Sequence, residues 1–341
     1  MICKPLDGWS ALRAARKGEE CPESVVLKPV RPRGIAVRTD LDTLLTALYV
    51  ELDDGIIPSR TPRSGPGHPR EVTDAELVCL AVAQVLLRFN DQRHWLRSAP
   101  ALIGHLFPRL LSQSAYNQRL RDAGDLMETA LRWVAARTPS SADVVRIWDG
   151  TPVRCGASRE TAKRSDLAGW AGYGHDSSHH CFYWGAKLML ACAPDGLITG
   201  FILINPKLVK ERDAVRMMFA LDKNRPEPGT KGVCDKGFAG ADFETDMAAL
   251  GITVIRPARK DETGPGIFPN WLRQRIESVN WTLNGQLGLD QHGGRVISGL
   301  WARVLQRLLA LNVAIWHNWA AGADRKRSLI HYDHLKLLTS T

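Results

Sequence analysis

The sequence has no long uncharged apolar run and no apolar leader. Its most apolar segments, Leu77–Leu87 and Val304–Trp316, are short or interrupted by Arg307. A transmembrane helix needs about 20 consecutive apolar residues, so the sequence predicts no membrane span. Residues 1–18 carry scattered charges and no apolar core, so we expect no signal peptide and a cytoplasmic protein.

Acidic residues are outnumbered by basic ones, mainly in the second part of the chain. The formal net charge is +9, of which residues 144–341 contribute +7 from 26 basic and 19 acidic residues. A basic half indicates a polyanionic partner such as nucleic acid, and charge for solubility is an equally open alternative. The composition, 44% hydrophobic and 24% charged, excludes global disorder. The length suggests about two domains.

Cysteine pairs are absent as well. The seven cysteines include no Cys-x-x-Cys pair, so we interpret them as reduced thiols and not as a disulfide framework. His175, His179, His180 and Cys181 have a spacing that could ligate zinc, but no second His/Cys pair follows at a usual interval. We therefore favour solvated or DNA-facing histidines beside a strand.

The N-terminal part of the chain divides into an arm and a helical region. Residues 1–38 mix Pro, Arg and Glu without periodicity and are interpreted as a loosely ordered arm. Residues 39–140 are predicted to form an all-α DNA-binding region. A capping box at Thr73 and Glu76 starts a strongly apolar helix. The preceding segment 58–70, rich in Pro, Gly and Arg, is a linker or an exposed loop.

One helix of this region is polar. The segment 112–121 (SQSAYNQRLR) carries Asn117, Arg119 and Arg121, whose side chains suit contacts with phosphates and base edges. These three residues are the candidates for DNA binding in the helical region. A helix-turn-helix and a surface helix of a small bundle remain equally open.

Beyond residue 143 the periodicity changes from helical to alternating. Strands are predicted at 144–149, 181–192, 197–204, 232–235 and 252–257, with helices before and after the last two and a long apolar helix at the end. Three antiparallel strands followed by alternating elements resemble the ribonuclease H fold. We therefore predict an α/β fold, with a ribonuclease H-like domain (a mixed sheet flanked by helices) at 143–320 and a tail at 321–341.

Three acidic residues fall where that fold would bring them together. Asp149 ends the first predicted strand, Asp235 ends the fourth, and Glu277 lies on the helix after the fifth. Three carboxylates at one site repel one another unless cations lie between them. Mg²⁺ and Mn²⁺ prefer oxygen ligands, and two such ions about 3.5–4 Å apart stabilise an in-line phosphoryl displacement.

The context of each acid carries a family resemblance. Residues 147–153 (IWDGTPV) resemble the first acidic motif of bacterial insertion-sequence DDE transposases. Residues 233–240 (VCDKGFAG) resemble the second, and residues 271–281 (WLRQRIESVNW) the third, the Arg-rich helix that carries Glu. The strand segment 183–187 (YWGAK) and Asp213 add support. Over most of its length the chain is similar to the insertion sequence 982-like family.

This resemblance implies a transposase that binds the terminal inverted repeats of its element, cleaves DNA by metal-activated water and joins the 3′-hydroxyl to target DNA. It implies two Mg²⁺ ions, replaceable by Mn²⁺, held by the catalytic residues Asp149, Asp235 and Glu277. It also implies a homodimer in the active complex and a location at the bacterial nucleoid. The residues expected to contact DNA phosphates near the acids are Arg273, Arg275 and Lys236.

Two positions depart from the family pattern. Asn270, seven residues before Glu277, and Asn284, seven after it, stand where members often carry Tyr and a basic residue. Helical spacing puts Arg273, Glu277, Asn280 and Asn284 on one face. Two alternatives stay open: another two-metal nuclease of the same fold, and a catalytically weakened DNA-binding transposase remnant, which the two asparagines favour.

Overall fold

The computed structural model describes most of the chain after the N-terminal arm. The arm at 1–38, most of the basic segment 58–70, the end of the tail and His179 lie outside the described residues. No helix within the described ranges is long and apolar enough to cross a membrane. The described ranges are 40–59, 70–176, 180–221, 226–259 and 268–333.

The described residues form two compact units. One consists of Pro139–Trp281, and the other joins the residues up to Thr138 with those from Thr282 on. The helices are α1 (Leu41–Val50), α2 (Asp74–Leu86), α3 (Gln92–Ile103), α4 (Gln113–Asp122), α5 (Gly124–Ala136), α6 (Arg159–Arg164), α7 (Glu211–Leu221), α8 (Ala241–Ala249), α9 (Asn270–Trp281) and α10 (Ile297–Ala320). The strands are β1 (Val145–Gly156), β2 (Gly172–Asp176), β3 (Cys181–Cys192), β4 (Ile198–Ile204), β5 (Lys231–Val233) and β6 (Thr253–Ile255).

The unit that contains α1–α5 and α10 has no strand in its described residues. Asp40 caps α1 by accepting a hydrogen bond from the Thr43 amide at 2.9 Å. The predicted capping box is present at the start of α2, where the Thr73 hydroxyl and the Glu76 carboxylate each accept from the other residue's amide. Short-range rules of helix capping therefore set these helix starts.

The long helix α10 belongs to this helical unit. Most of its side chains are buried. Gln306 donates to the Ala81 carbonyl of α2 at 2.7 Å, and Arg307 donates to the Gly288 carbonyl at 3.0 Å. The sequence predicts that residues up to 320 belong to the sheet domain, whereas the structure groups α10 with the N-terminal helices. An apolar stripe predicts burial but does not identify the partner.

The other unit is built on a mixed sheet, in agreement with the predicted α/β class. Its six described strands follow the order β2-β3-β1-β5-β6, and β4 also pairs with β3. β1 is antiparallel to β3 and parallel to β5, through the partners Val145↔Lys231 and Ile147↔Val233. This topology puts the first strand at the centre of the sheet.

The first strand is longer than predicted. β1 continues to Gly156 because it pairs with β3 along almost its whole length, as far as Gly156↔Trp184. The prediction that Asp149 ends this strand is therefore wrong: Asp149 lies inside β1, opposite Leu190. The periodicity also misses β2 and α6, because both are short and polar and show little apolar patterning.

A hydrophobic cluster fixes β5 beside β1. Trp148 is 1% exposed and packs edge-on against Phe219 of α7, with ring centroids 5.5 Å apart. Gly232 of β5 lies against the same indole, where an added Cβ would come within 2.2 Å of Trp148 Cη2. Glycine at this position lets the large ring lie over β5 at a closely packed site.

Helix α9 ends earlier than predicted. Its α-helical part is Asn270–Trp281, and a π-helical turn, Thr282–Gln286, replaces the predicted continuation. The wider turn changes the angular spacing of side chains. The face that Glu277 shares with Asn280 therefore does not continue regularly to Asn284.

Candidate active site

Two of the predicted acids lie just beyond the residues through which β1 and β5 pair. Ile147 pairs with Val233, and Asp149 and Asp235 each lie two residues beyond that pair. Parallel strands run in the same direction, so equal offsets from a paired position place both residues at the same end of the pair. The structure thus brings Asp149 and Asp235 to one site.

The surroundings of Asp149 disfavour its negative charge. Burial, together with the nearby charges of Glu211 and Asp235, raises the pKa of Asp149 to about 7. The backbone amide of Gly150 and the charge of Lys187 oppose this rise. A carboxyl group beside other acids with its pKa near neutrality is typical of a functional site, and a bound cation would favour its charged form.

An ion pair without an assigned role lies close to Asp149. Lys187 of β3 contacts the carboxylate of Glu211 in the first turn of α7. The Lys187 side chain runs past Gly150, where an added Cβ would lie 3.2 Å from the lysine Cδ. Lys187 belongs to the segment 183–187, which resembles the family pattern. No sequence feature marks Glu211, because only the folded chain brings it to this position.

Helix α9 reaches Asp149 through Asn280. The Asn280 amide donates from Nδ2 to Asp149 Oδ2 at 2.8 Å. The other amide atom, Oδ1, is buried and has no hydrogen-bond partner within the described chain. Helical spacing predicts that Asn280 shares the helix face of Glu277, but it indicates no role for Asn280.

Glu277, the third predicted acid, lies on an exposed part of α9. Its carboxylate pairs with Arg273 (Nε to Oε1, 3.2 Å), and the two side chains are 54% and 51% exposed. Asn280 follows three residues later on the same helix face. The hydrogen bond from α9 to Asp149 is therefore made by Asn280, one turn away from Glu277.

The donor set suits a hard divalent cation. No group of three His, Cys, Asp or Glu side chains in the described ranges is arranged to hold a metal. Mg²⁺, however, is commonly bound through one or two carboxylates, with water and substrate phosphates as its other ligands. Asp149 and Asp235 supply two carboxylates, and the unpartnered Oδ1 of Asn280 adds a neutral oxygen beside Asp149.

The described part of the histidine segment faces solvent. His175 and His180 are exposed, and the His175 ring contacts Phe182 at a centroid distance of 5.0 Å. Cys181 Sγ accepts a hydrogen bond from Arg154 at 3.6 Å. These contacts agree with the interpretation of solvated histidines beside a strand.

The basic residues predicted near the acids are exposed. Lys236 follows Asp235 in a short 3-10 turn, which Asp235 caps by accepting from the Gly237 amide at 2.8 Å. Arg275 is exposed on α9, as is Arg273. These three side chains lie next to predicted acids in sequence and are accessible to a polyanion.

The polar residues of α4 have intramolecular partners. Arg119 donates to the Val72 carbonyl at 2.6 Å and to Asp74 at 2.7 Å. Asn117 donates to Gln92 at 2.8 Å. Arg121 donates to Gln118, one turn earlier on the same helix. The first two sets of contacts hold α4 against the starts of α2 and α3, and DNA binding by these residues stays a prediction.

One comparison with known proteins found a matching family model. Residues 140–268 match the family model described as the transposase DDE domain. This segment contains Asp149 and Asp235 and ends before Glu277. Among solved structures, a chain from a piggyBac transposase synaptic complex with hairpin DNA aligns with 87% of this chain and 80% of its own length, at 9% identity and a TM-score of 0.41. The search of curated proteins gave no match. The family match supports the expected transposase domain.

Proposed function

We propose that this chain is a DDE-type transposase in which Asp149 and Asp235 hold divalent metal ions for DNA cleavage and joining. The observation that carries the proposal is the position of these two carboxylates. They lie just beyond the same end of the segment in which β1 and β5 are paired, inside the part of the chain that matches the transposase DDE domain. The sheet also supports a ribonuclease H-like fold, in which the first and fourth main strands are neighbours. Here β5, fourth when the short β2 is set aside, pairs with β1.

The proposed chemistry is two phosphodiester exchanges. In cleavage, a water oxygen bonds to phosphorus while the P–O3′ bond breaks and leaves a 3′-hydroxyl. In joining, that hydroxyl bonds to a target phosphorus while the P–O3′ bond of the target breaks. Bound Mg²⁺ ions would supply charge stabilisation and lower the pKa of the attacking hydroxyl. Asp149 and Asp235 are suited to hold them, and Glu277 is the third proposed ligand.

The partner in this proposal is DNA. Lys236, Arg273 and Arg275 are exposed near the acids, and residues 144–341 carry a net charge of +7. We propose that these three side chains contact the DNA backbone and that the helical region 39–140 recognises the element ends. Binding should weaken steeply with salt, because lysine and arginine release counterions from the phosphates. A homodimer would bring two element ends together.

The test uses the full chain with DNA that flanks its coding region, cloned in a plasmid, and a second plasmid as target. We expect cleavage that needs Mg²⁺, stops with EDTA, and yields products in which a 3′ end is joined to the target. Cleavage without joining would support the nuclease alternative. DNA binding without either reaction would support the remnant.

Substitution of Arg273 tests whether the exposed basic residues take part in the cleavage reaction. Arg273→Ala is expected to slow cleavage by at least about tenfold, a barrier increase of about 1.4 kcal/mol. The reason is that a guanidinium can donate two parallel hydrogen bonds to a phosphate. The melting temperature should hardly change, since an exposed helix pair contributes about 0.3–0.5 kcal/mol. Arg273→Lys should recover part of the rate.

A matched control exists on α6. Arg164 pairs with Glu160 at the same four-residue spacing, at 3.5 Å, and is exposed. Arg164→Ala should leave single-turnover cleavage rates unchanged. Normal cleavage by Arg273→Ala together with a lowered melting temperature would assign Arg273 to the pair with Glu277 alone.

A further inference from the structure

We infer that Asn280 is a positioning residue of this active site: its amide orients the Asp149 carboxylate to receive a divalent cation. The inference rests on the proposed function and adds a residue to its machinery. Neither the acidic motifs nor the family match assigns a role to Asn280, and the matched segment ends at residue 268.

The first argument is the hydrogen bond itself. Asn280 Nδ2 lies 2.8 Å from Asp149 Oδ2. A donor on one carboxylate oxygen restricts rotation of the group and leaves the second oxygen to face another partner. Outer partners of this kind hold metal-binding carboxylates in the orientation that a cation requires.

The second argument is the other end of the same amide. Asn280 Oδ1 is buried without a hydrogen-bond partner in the described chain, although a buried acceptor without a donor is unfavourable. A residue that only packed α9 on the sheet could be apolar and avoid this cost. An acceptor is useful beside Asp149 because a cation, or the water bound to it, can satisfy the oxygen.

The third argument is the position of Asn280 on α9. It follows Glu277 by three residues on the same face, and the α-helix ends one residue later, at Trp281. The bond to Asp149 therefore fixes the rotation of the last α-helical turn relative to β1.

The experiment measures Mn²⁺ binding to the full chain without DNA, by calorimetric titration, alongside melting temperature and cleavage. Asn280→Ala should weaken Mn²⁺ binding by about tenfold or more, the usual loss when a group that orients a metal ligand is removed. Its melting temperature should stay close to that of the wild type. Asn280→Asp should bind Mn²⁺ at least as tightly as the wild type. The added carboxylate attracts the cation, and this attraction offsets the loss of the hydrogen bond that orients Asp149. Gln274→Ala, an exposed amide on the same helix, is the control and should change nothing.

The outcomes separate this inference from the proposed function. If the wild type binds Mn²⁺ and cleaves DNA while Asn280→Ala does both equally well, Asn280 has no positioning role and the proposed function stands. A lowered melting temperature with unchanged Mn²⁺ affinity in Asn280→Ala would show that Asn280 stabilises the fold and does not position Asp149 for a cation. If the wild type neither binds Mn²⁺ nor cleaves, the proposed function fails and this inference fails with it.

Discussion

Asp149→Asn and Asp235→Asn are each expected to reduce DNA cleavage by at least about 1000-fold, which corresponds to about 4 kcal/mol in the barrier. Each change replaces a carboxylate by a neutral amide of the same shape, so the negative charge that holds the cations is lost while packing is kept. DNA binding should persist, because the basic side chains provide it. Single-turnover cleavage and a DNA-binding titration measure the two effects separately.

Glu277→Gln distinguishes the roles of the three acids. If Glu277 is a third ligand, its loss should be as severe as that of either aspartate. The control is Glu160→Gln, an exposed acid on α6 that also pairs with an arginine four residues away. A wild-type rate for Glu277→Gln would remove Glu277 from the ion site. Glu211, whose charge acts on Asp149, would then be the next acid to test.

The second large effect concerns stability without metal. Burial is the main cause of the rise in the pKa of Asp149 from 3.8 to about 7, and the charges of Glu211 and Asp235 add to it. The folded chain therefore binds this proton more tightly than the unfolded chain does. The contribution of this proton to the free energy of unfolding is complete below about pH 4, falls as the pH rises towards about 7, and is absent above about pH 7. Its full size is up to about 4 kcal/mol.

The difference in stability between Asp149→Asn and the wild type should depend on pH. In EDTA at pH 8 the variant is expected to unfold at higher denaturant concentration than the wild type, because it no longer holds a charge in a partly buried acidic site. At pH 4 the difference should be small. Adding Mg²⁺ at pH 8 should stabilise the wild type and not the variant. Asp166→Asn, an exposed acid in the same unit, serves as control. Equal stabilities of the wild type and Asp149→Asn at pH 8 in EDTA would contradict the assignment.

Local patterns in the sequence predicted several elements well. The capping box at Thr73 and Glu76 starts α2 as expected, since a cap involves neighbours within four residues. The strand at 181–192 has the predicted bounds. The length of β1 was not predictable, because β3 extends it by pairing beyond Asp149. The end of α9 was missed for a similar reason, since the sequence pattern continues where the helix widens into a π turn.

The sequence by itself identified Asp149 and Asp235 within family motifs, but it misplaced Asp149 at the end of a strand. Only the tertiary structure decided what surrounds them. The Asn280 amide reaches Asp149 from 131 positions away along the chain, Lys187 and Glu211 meet across β3 and α7, and Glu277 pairs with Arg273. Periodicity and motifs report on neighbours within a few residues. The charge and orientation of a partly buried carboxylate depend instead on groups that come together only when the chain folds.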